Sequence, residues 1–113
     1  MNVVTRFKVP RVRSERHLRW IRTLQCTVPR CRPYRQVVAH HLTISPQPKA
    51  RGLTAGDDWA VPLCLACHGP GFAGSLHDRG DERAWWAARG IDPIGLAAWL
   101  AFLSRCAGRL PAL

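Results

Sequence analysis

The sequence predicts a small α+β domain built around a metal ion, on three observations. Two close cysteine pairs, Cys26 with Cys31 and Cys64 with Cys67, stand in a chain of 113 residues. Two short runs of β-favouring residues lead into candidate ligands, one into His40 and His41, the other into Cys64. Three stretches of helical spacing begin at residues suited to capping. A chain this short has little apolar surface to bury, so a metal staple is the expected supplement.

Residues 1–13 alternate basic and apolar side chains around Pro10, which predicts a flexible basic arm ahead of one domain over 14–113. Ser14 then reads as an N-cap, and Leu18, Ile21 and Leu24 recur at helical spacing, predicting a helix from Glu15 to Leu24 with its arginines outward. His17 on that helix reads as a surface or phosphate-facing residue. Cys26 to Pro33, with two prolines, forms a first metal turn, and Tyr34 to Ala39 a strand that delivers His40 and His41. Residues 43–57 carry Pro46, Pro48, Gly52 and Gly56 with Lys49 and Arg51, a flexible basic loop.

Trp59 to Leu63 is the second strand despite Pro62, and it runs into Cys64-x-x-Cys67. The segment 69–75 is glycine-rich and excludes a regular helix. Asp81 is placed to cap a helix through Arg89 that stops at Gly90, and Asp92-Pro93 opens a last helix to about Ala107. Trp85, Trp86, Trp99, Leu96, Leu100 and Leu103 are expected to form the apolar contact between these two helices, with Cys106 a buried free thiol.

The formal charge is +10, and ten of the basic residues fall in 1–35 against Glu15 alone. Such asymmetry points to a polyanionic partner, since neutralising phosphates with Lys and Arg is the main source of affinity for nucleic acid. A solvated basic tail is the alternative. Five cysteines is an odd count and the arginine-rich start lacks a long apolar run, so a disulfide framework or plain buried thiols explain the pairs less well than a metal. Ile94 to Leu103 is too short to cross a bilayer. A soluble cytoplasmic protein without a membrane partner is expected.

Zinc favours thiolates presented by two short turns, and the spacings Cys26-x4-Cys31 and Cys64-x-x-Cys67 both suit it. Two adjacent histidines at a strand end project to opposite sides, so one can hold a metal while the other addresses a water. A histidine-held divalent ion can stabilise charge on a phosphate, and a neighbouring imidazole can take the proton of the attacking water.

The run Ala39-His40-His41, then Asp57-Asp58-Trp59, Val61-Pro62-Leu63-Cys64-x-x-Cys67-His68, Leu76-His77, Gly80-Asp81-Glu82, Trp85-Trp86 and Gly90-Ile91-Asp92-Pro93 resembles the HNH nuclease superfamily. It is most similar to small phage and prophage HNH-like proteins related to the phage recombination-enhancement nuclease, over roughly residues 14–100. The resemblance implies a treble-clef zinc scaffold carrying a ββα-metal core, flanked here by the basic arm and helix and by two later helices. It implies structural zinc on Cys26, Cys31, Cys64 and Cys67. It further implies a catalytic divalent ion, Mg²⁺ or Mn²⁺, on His40, His68 and His77, with His41 as general base and Asp57 or Asp58 orienting it. Histidine ligation also admits Zn²⁺ or Ni²⁺.

The activity so implied is metal-dependent hydrolysis of DNA phosphodiester bonds, as an endonuclease or nickase, in a bacterial or phage-infected cell. Arg11, Arg13, Arg16, Arg19, Arg22, Lys49 and Arg51 would hold the backbone with little sequence preference, and recombination proteins are the implied partners. Two departures stand out. The family's last two histidines sit four apart, whereas His68 and His77 are nine apart across the glycine-rich segment, and aspartate replaces the asparagine of the middle position. His68, directly after Cys67, also reads as an alternative zinc ligand. The rival reading is a catalytically inactive, zinc-stabilised nucleic-acid-binding accessory protein of phage recombination or replication.

Overall fold

The structure, a computed structural model, describes residues 11–29, 31, 36–46, 55–69 and 71–112. It is a small α+β fold in which helices pack around a two-stranded antiparallel sheet. Residues 1–10 of the expected arm, Arg32 to Arg35, and the loop positions Lys49 and Arg51 lie outside the described residues.

Helix α1 spans Glu15–Ile21, with the Ser14 hydroxyl accepting from the His17 amide at 3.1 Å. Its regular part ends short of the expected Leu24, where residues 22–24 close as turns and Thr23 Oγ1 donates to the Trp20 carbonyl at 2.6 Å. A hydroxyl that takes a carbonyl in this way competes with the helical ladder. The helix buries His17 and Ile21, one turn apart, while Leu18 and Leu24 are only half-buried. The surface position expected for His17 is therefore corrected: it is 0% exposed. Arg16, Arg19 and Arg22 do face outward. Ahead of the helix, residues 11–13 lie against the Asp57 turn, where the Asp57 amide donates to the Val12 carbonyl at 2.8 Å.

Strand β1, Val37–His41, pairs with β2, Ala60–Cys64, so that His40 faces Val61 and His41 faces Ala60 across the ladder. The strand extends two residues beyond the expected end and holds both histidines within regular structure. β2 is buried along its whole length. Pro62 is accommodated because its nitrogen and carbonyl face the edge away from β1, where no ladder donor is needed and the carbonyl accepts from both the amide and the hydroxyl of Thr27, at 2.9 and 2.7 Å. A 3-10 turn, Asp57–Trp59, leads into β2.

Cys64 passes directly into α2, Leu65–His68. Residues 71–74 of the glycine-rich segment form turns, ending where Ser75 caps α3, Leu76–Arg79. Asp81 caps α4, Glu82–Ala88, by accepting from the Ala84 amide at 3.1 Å, and Gly90 closes it with φ +66°. Asp92 caps α5, Pro93–Cys106, through the Gly95 amide.

Leu42, Val61, Leu63, Leu76, Trp85, Trp86 and Ala97 form the core, with the two indoles edge to face at 4.8 Å. Trp85, Trp86 and Leu100 are buried, but the expected packing of α4 and α5 on each other is corrected: α4 rests chiefly on α3 and α5 on the 3-10 turn and β2, and Trp99 is 55% exposed and stacks on Phe102, itself 53% exposed. α5 is apolar nearly all round, so its periodicity does not decide which stripe meets the core. Cys106 is exposed, correcting its expected burial. Among the described residues, no helix is long and apolar enough to cross a membrane.

Candidate metal and histidine site

The Sγ atoms of Cys26, Cys31, Cys64 and Cys67 all lie within 4.8 Å of one another. Cys31 and Cys67 are 3.4 Å apart, and Cys64 and Cys31 3.8 Å. Four thiolates around zinc at about 2.3 Å place their sulfurs about 3.8 Å apart, so this donor set fits a tetrahedral ion. It does not fit disulfides, and all five cysteines are free. The sheet brings the pairs together: Cys64 ends β2 opposite Val37, and Thr27 ties the first cysteine turn to Pro62.

Without a cation the sulfurs hold their protons unequally. Burial and neighbouring sulfurs push Cys31 up to about 11 and Cys67 higher still. Burial also acts against the Cys64 thiolate, but the Cys67 amide and the adjacent thiols outweigh it and bring that thiol down. Metal binding must therefore release protons.

The second cluster is histidine. His40 on β1 and His68 on α2 meet edge to face with ring centroids 5.0 Å apart, and His68 meets His77 of α3 at 4.5 Å. The nine-residue separation thus does not keep His77 away. Trp85 Nε1 and Arg89 Nη2 both donate to the Gly74 carbonyl, at 2.8 and 3.0 Å, and anchor the turn from which Ser75 starts α3. The three imidazoles form a file: among the described residues only the cysteine quartet gathers three or more metal-ligating atoms within 4.8 Å of one another. Burial first, with His40 and His77 beside it, lowers His68 to about 4, so its ring is neutral and keeps a lone pair.

Glu82 completes this cluster, and the sequence reading did not give it a site role. Its side chain is 4% exposed. Oε2 accepts from His40 Nε2 and Trp86 Nε1, both at 2.8 Å, and Oε1 from the amide and hydroxyl of Thr43, at 2.9 and 2.5 Å. Burial opposes the charge, yet the donors from His40, Thr43 and Trp86 prevail and hold the carboxyl at about 2. A carboxylate only accepts, so His40 Nε2 carries the hydrogen, and in the neutral ring Nδ1 is the lone-pair nitrogen. A cleft of about 200 Å³ opens here, lined by His40, Thr43, Leu76, His77, Gly80 and Glu82.

His41 leaves the opposite side of β1. Its Nε2 donates to Asp57 Oδ1 at 2.8 Å, and Asp57 Oδ2 accepts from the Ser14 amide at 2.7 Å. Arg13 stands 3.7 Å from the same Oδ1. Of the two candidate aspartates, Asp57 is the one that reaches the histidine. Asp58 turns to Arg105 at 3.7 Å, and burial raises its carboxyl.

Of the arginines assigned to a polyanion, Arg16 and Arg19 are exposed on α1, Arg22 pairs with Glu15 and Arg13 approaches Asp57. Arg11 is half-buried. No family model, curated protein or solved structure matches this chain.

Proposed function

We propose that this chain is a metal-dependent phosphodiesterase acting on DNA as an endonuclease or nickase, with a treble-clef zinc knuckle holding a ββα-metal core. One observation carries the reading. Adjacent histidines project to opposite sides of one strand, and each donates its Nε2 hydrogen to a carboxylate of its own, His40 to Glu82 and His41 to Asp57. Both rings are thereby oriented with Nδ1 as the basic nitrogen. One suits a metal and the other a proton. The resemblance to HNH nucleases supports the same division of labour.

His40, His68 and His77 would hold the divalent ion, whose contribution when bound is to stabilise negative charge on the phosphate and the departing 3′ oxygen. His41 Nδ1 takes a proton from water as the water oxygen attacks phosphorus and the bond to the 3′ oxygen breaks. Asp57 holds the His41 ring in the required tautomer and stabilises the imidazolium that forms. Glu82 does the corresponding service for His40. The outward arginines of α1 bind backbone phosphates.

A second reading, a zinc-stabilised nucleic-acid-binding accessory protein without catalysis, is favoured by one feature: the three imidazoles do not close into a cage. Plasmid nicking in Mg²⁺ or Mn²⁺ separates the two. The nuclease reading expects nicking by the wild type and none by His41→Ala; equal inactivity of both proteins leaves only the accessory role.

A further inference from the structure

A second concavity, of about 240 Å³, is lined by Arg16, Arg19, Trp20 and Thr23 of α1 and its closing turn and by Arg109 of the turn after α5. Among the described residues, none of its three arginines is paired with a carboxylate: the acids near α1 and α5 are engaged elsewhere, Glu15 by Arg22, Asp57 by His41 and Arg13, and Asp58 by Arg105. Three guanidinium groups around one hollow repel each other, a cost to the free fold that an anionic ligand removes.

The hollow is also built in advance. Arg109 lies with its guanidinium carbon 4.2 Å from the centre of the Trp20 ring, which fixes the plane of the charge. Its own backbone is tied down at both ends. The Arg109 carbonyl accepts from the Ser14 hydroxyl at 2.6 Å, and its amide donates to the Ser104 carbonyl at 2.8 Å. Arg16 Nη1 donates to the Gly108 carbonyl at 3.3 Å, and beneath them the Ser104 hydroxyl lies 2.6 Å from His17 Nδ1 in a buried contact. Gly108, at φ +77°, permits the turn that carries Arg109 back across α1. The Thr23 hydroxyl is spent on the Trp20 carbonyl, and Arg109 Nη1 donates to the Ser104 hydroxyl at 3.5 Å, so the charged donors left to the hollow are the remaining guanidinium N–H groups. A planar fork of such donors is matched by phosphate oxygens.

We propose that this groove, closed by Arg109 and separate from the histidine cluster, is a seat for consecutive phosphates of a nucleic-acid backbone. The inference rests on the nucleic-acid part of the function proposed above and adds to it a place and two residues, Arg109 and Trp20, that the charge pattern of the arm does not point to. It does not depend on catalysis.

The test is fluorescence anisotropy of a labelled 20-base-pair duplex with the zinc-loaded full chain, without added Mg²⁺ or Mn²⁺, across a salt series. Arg109→Ala and, separately, Arg19→Ala should each weaken binding about tenfold and each lower the slope of log affinity against log salt by about one. Arg83→Ala, an exposed arginine of α4 outside the groove, should change both far less. Because Arg19 is exposed, its replacement keeps the fold whatever Arg109→Ala does to the turn. Unchanged affinity and slope in Arg19→Ala, or equal losses in Arg83→Ala, overturn the groove. Displacement of the duplex by inorganic phosphate or polyglutamate as readily as by unlabelled DNA of equal charge overturns the assignment to a nucleic-acid backbone. Nicking by wild type with unaffected binding in the arginine variants would defeat this inference and leave the nuclease standing; the converse result would do the opposite.

Discussion

Glu82 accepts a hydrogen bond from His40 Nε2 at 2.8 Å, joining the first residue of α4 to a strand 42 positions earlier. Four donors converge on that one carboxylate, so its loss is expected to be felt in both folding and metal binding. Glu82→Ala would strand the buried Trp86 and His40 donors, and a destabilisation of about 3–5 kcal/mol is expected in urea denaturation. Glu82→Gln keeps an acceptor and should unfold closer to wild type. It should still bind Mn²⁺ about 10- to 100-fold more weakly by calorimetry, because the anionic partner of the ligand ring is gone.

His41 and Asp57 should behave as a unit. His41→Ala is expected to abolish metal-dependent nicking. In Asp57→Asn the amide can present a donor where an acceptor is needed, which favours the wrong tautomer, and a fall of about 100- to 10,000-fold in rate is expected. Asp58→Asn, whose side chain turns to Arg105, should cost far less. Equal losses at both aspartates would contradict the assignment.

Removing zinc is expected to dismantle more than the knuckle. A strong chelator, or Cys64→Ser, should release one tightly held zinc ion and collapse the tertiary signal in near-ultraviolet circular dichroism. Zinc-free protein retaining that signal would refute a structural ion. Loading should also acidify weakly buffered solution, since the Cys31 and Cys67 thiols are held above the usual range.

His17 gives the fold an acid sensitivity of known sign. Burial pushes its pKa from 6.5 down to about 4, with Asp57 opposing and Arg109 and Arg105 adding. Between those values the unfolded chain binds a proton that the native state refuses, so this contribution is complete above pH 6.5 and is lost as pH falls towards 4. Its size is on the order of 3 kcal/mol. His17→Gln should flatten stability across that window in urea titrations at pH 7 and 5, while the loss from Glu82 protonation begins lower, as pH falls from 4.5 towards 2.

The tryptophans should separate by burial. Trp86→Ala, in the core and bonded to Glu82, is expected to cost about 3–5 kcal/mol, whereas Trp99→Ala should cost under about 1 kcal/mol. Comparable losses would mean that the outer face of α5 is covered.

Local signals were legible in the sequence where their cause is local. Asp81, Gly90 and Asp92-Pro93 mark real helix ends, because caps act within one turn. The cysteine quartet follows from ligand spacing. Partners chosen across the fold were not legible. Glu82 directly after a capping aspartate reads as a first-turn acid complementing the helix dipole, and only the approach of β1 reveals its other use. Asp57 and Asp58 differ by one step of a 3-10 turn that pattern does not resolve. Leu18 drew the buried face of α1 to itself, whereas the contact with Ser104 of α5 places His17 there.

Cys67 and His68 are consecutive on a helix of four residues, so a member of the cysteine quartet and a member of the histidine file share one turn. This unequal anchoring sets where the gene can change length. One residue inserted between them would rotate His68 by about 100° about the helix axis and take it out of the file. Insertions or deletions within 69–71 are freer, because His77 takes its position from Ser75, whose amide donates to the Phe72 carbonyl, and from the Gly74 carbonyl held by Trp85 and Arg89. Across divergent descendants of this chain, the spacing from Cys64 to His68 should therefore stay fixed while the spacing from His68 to His77 drifts.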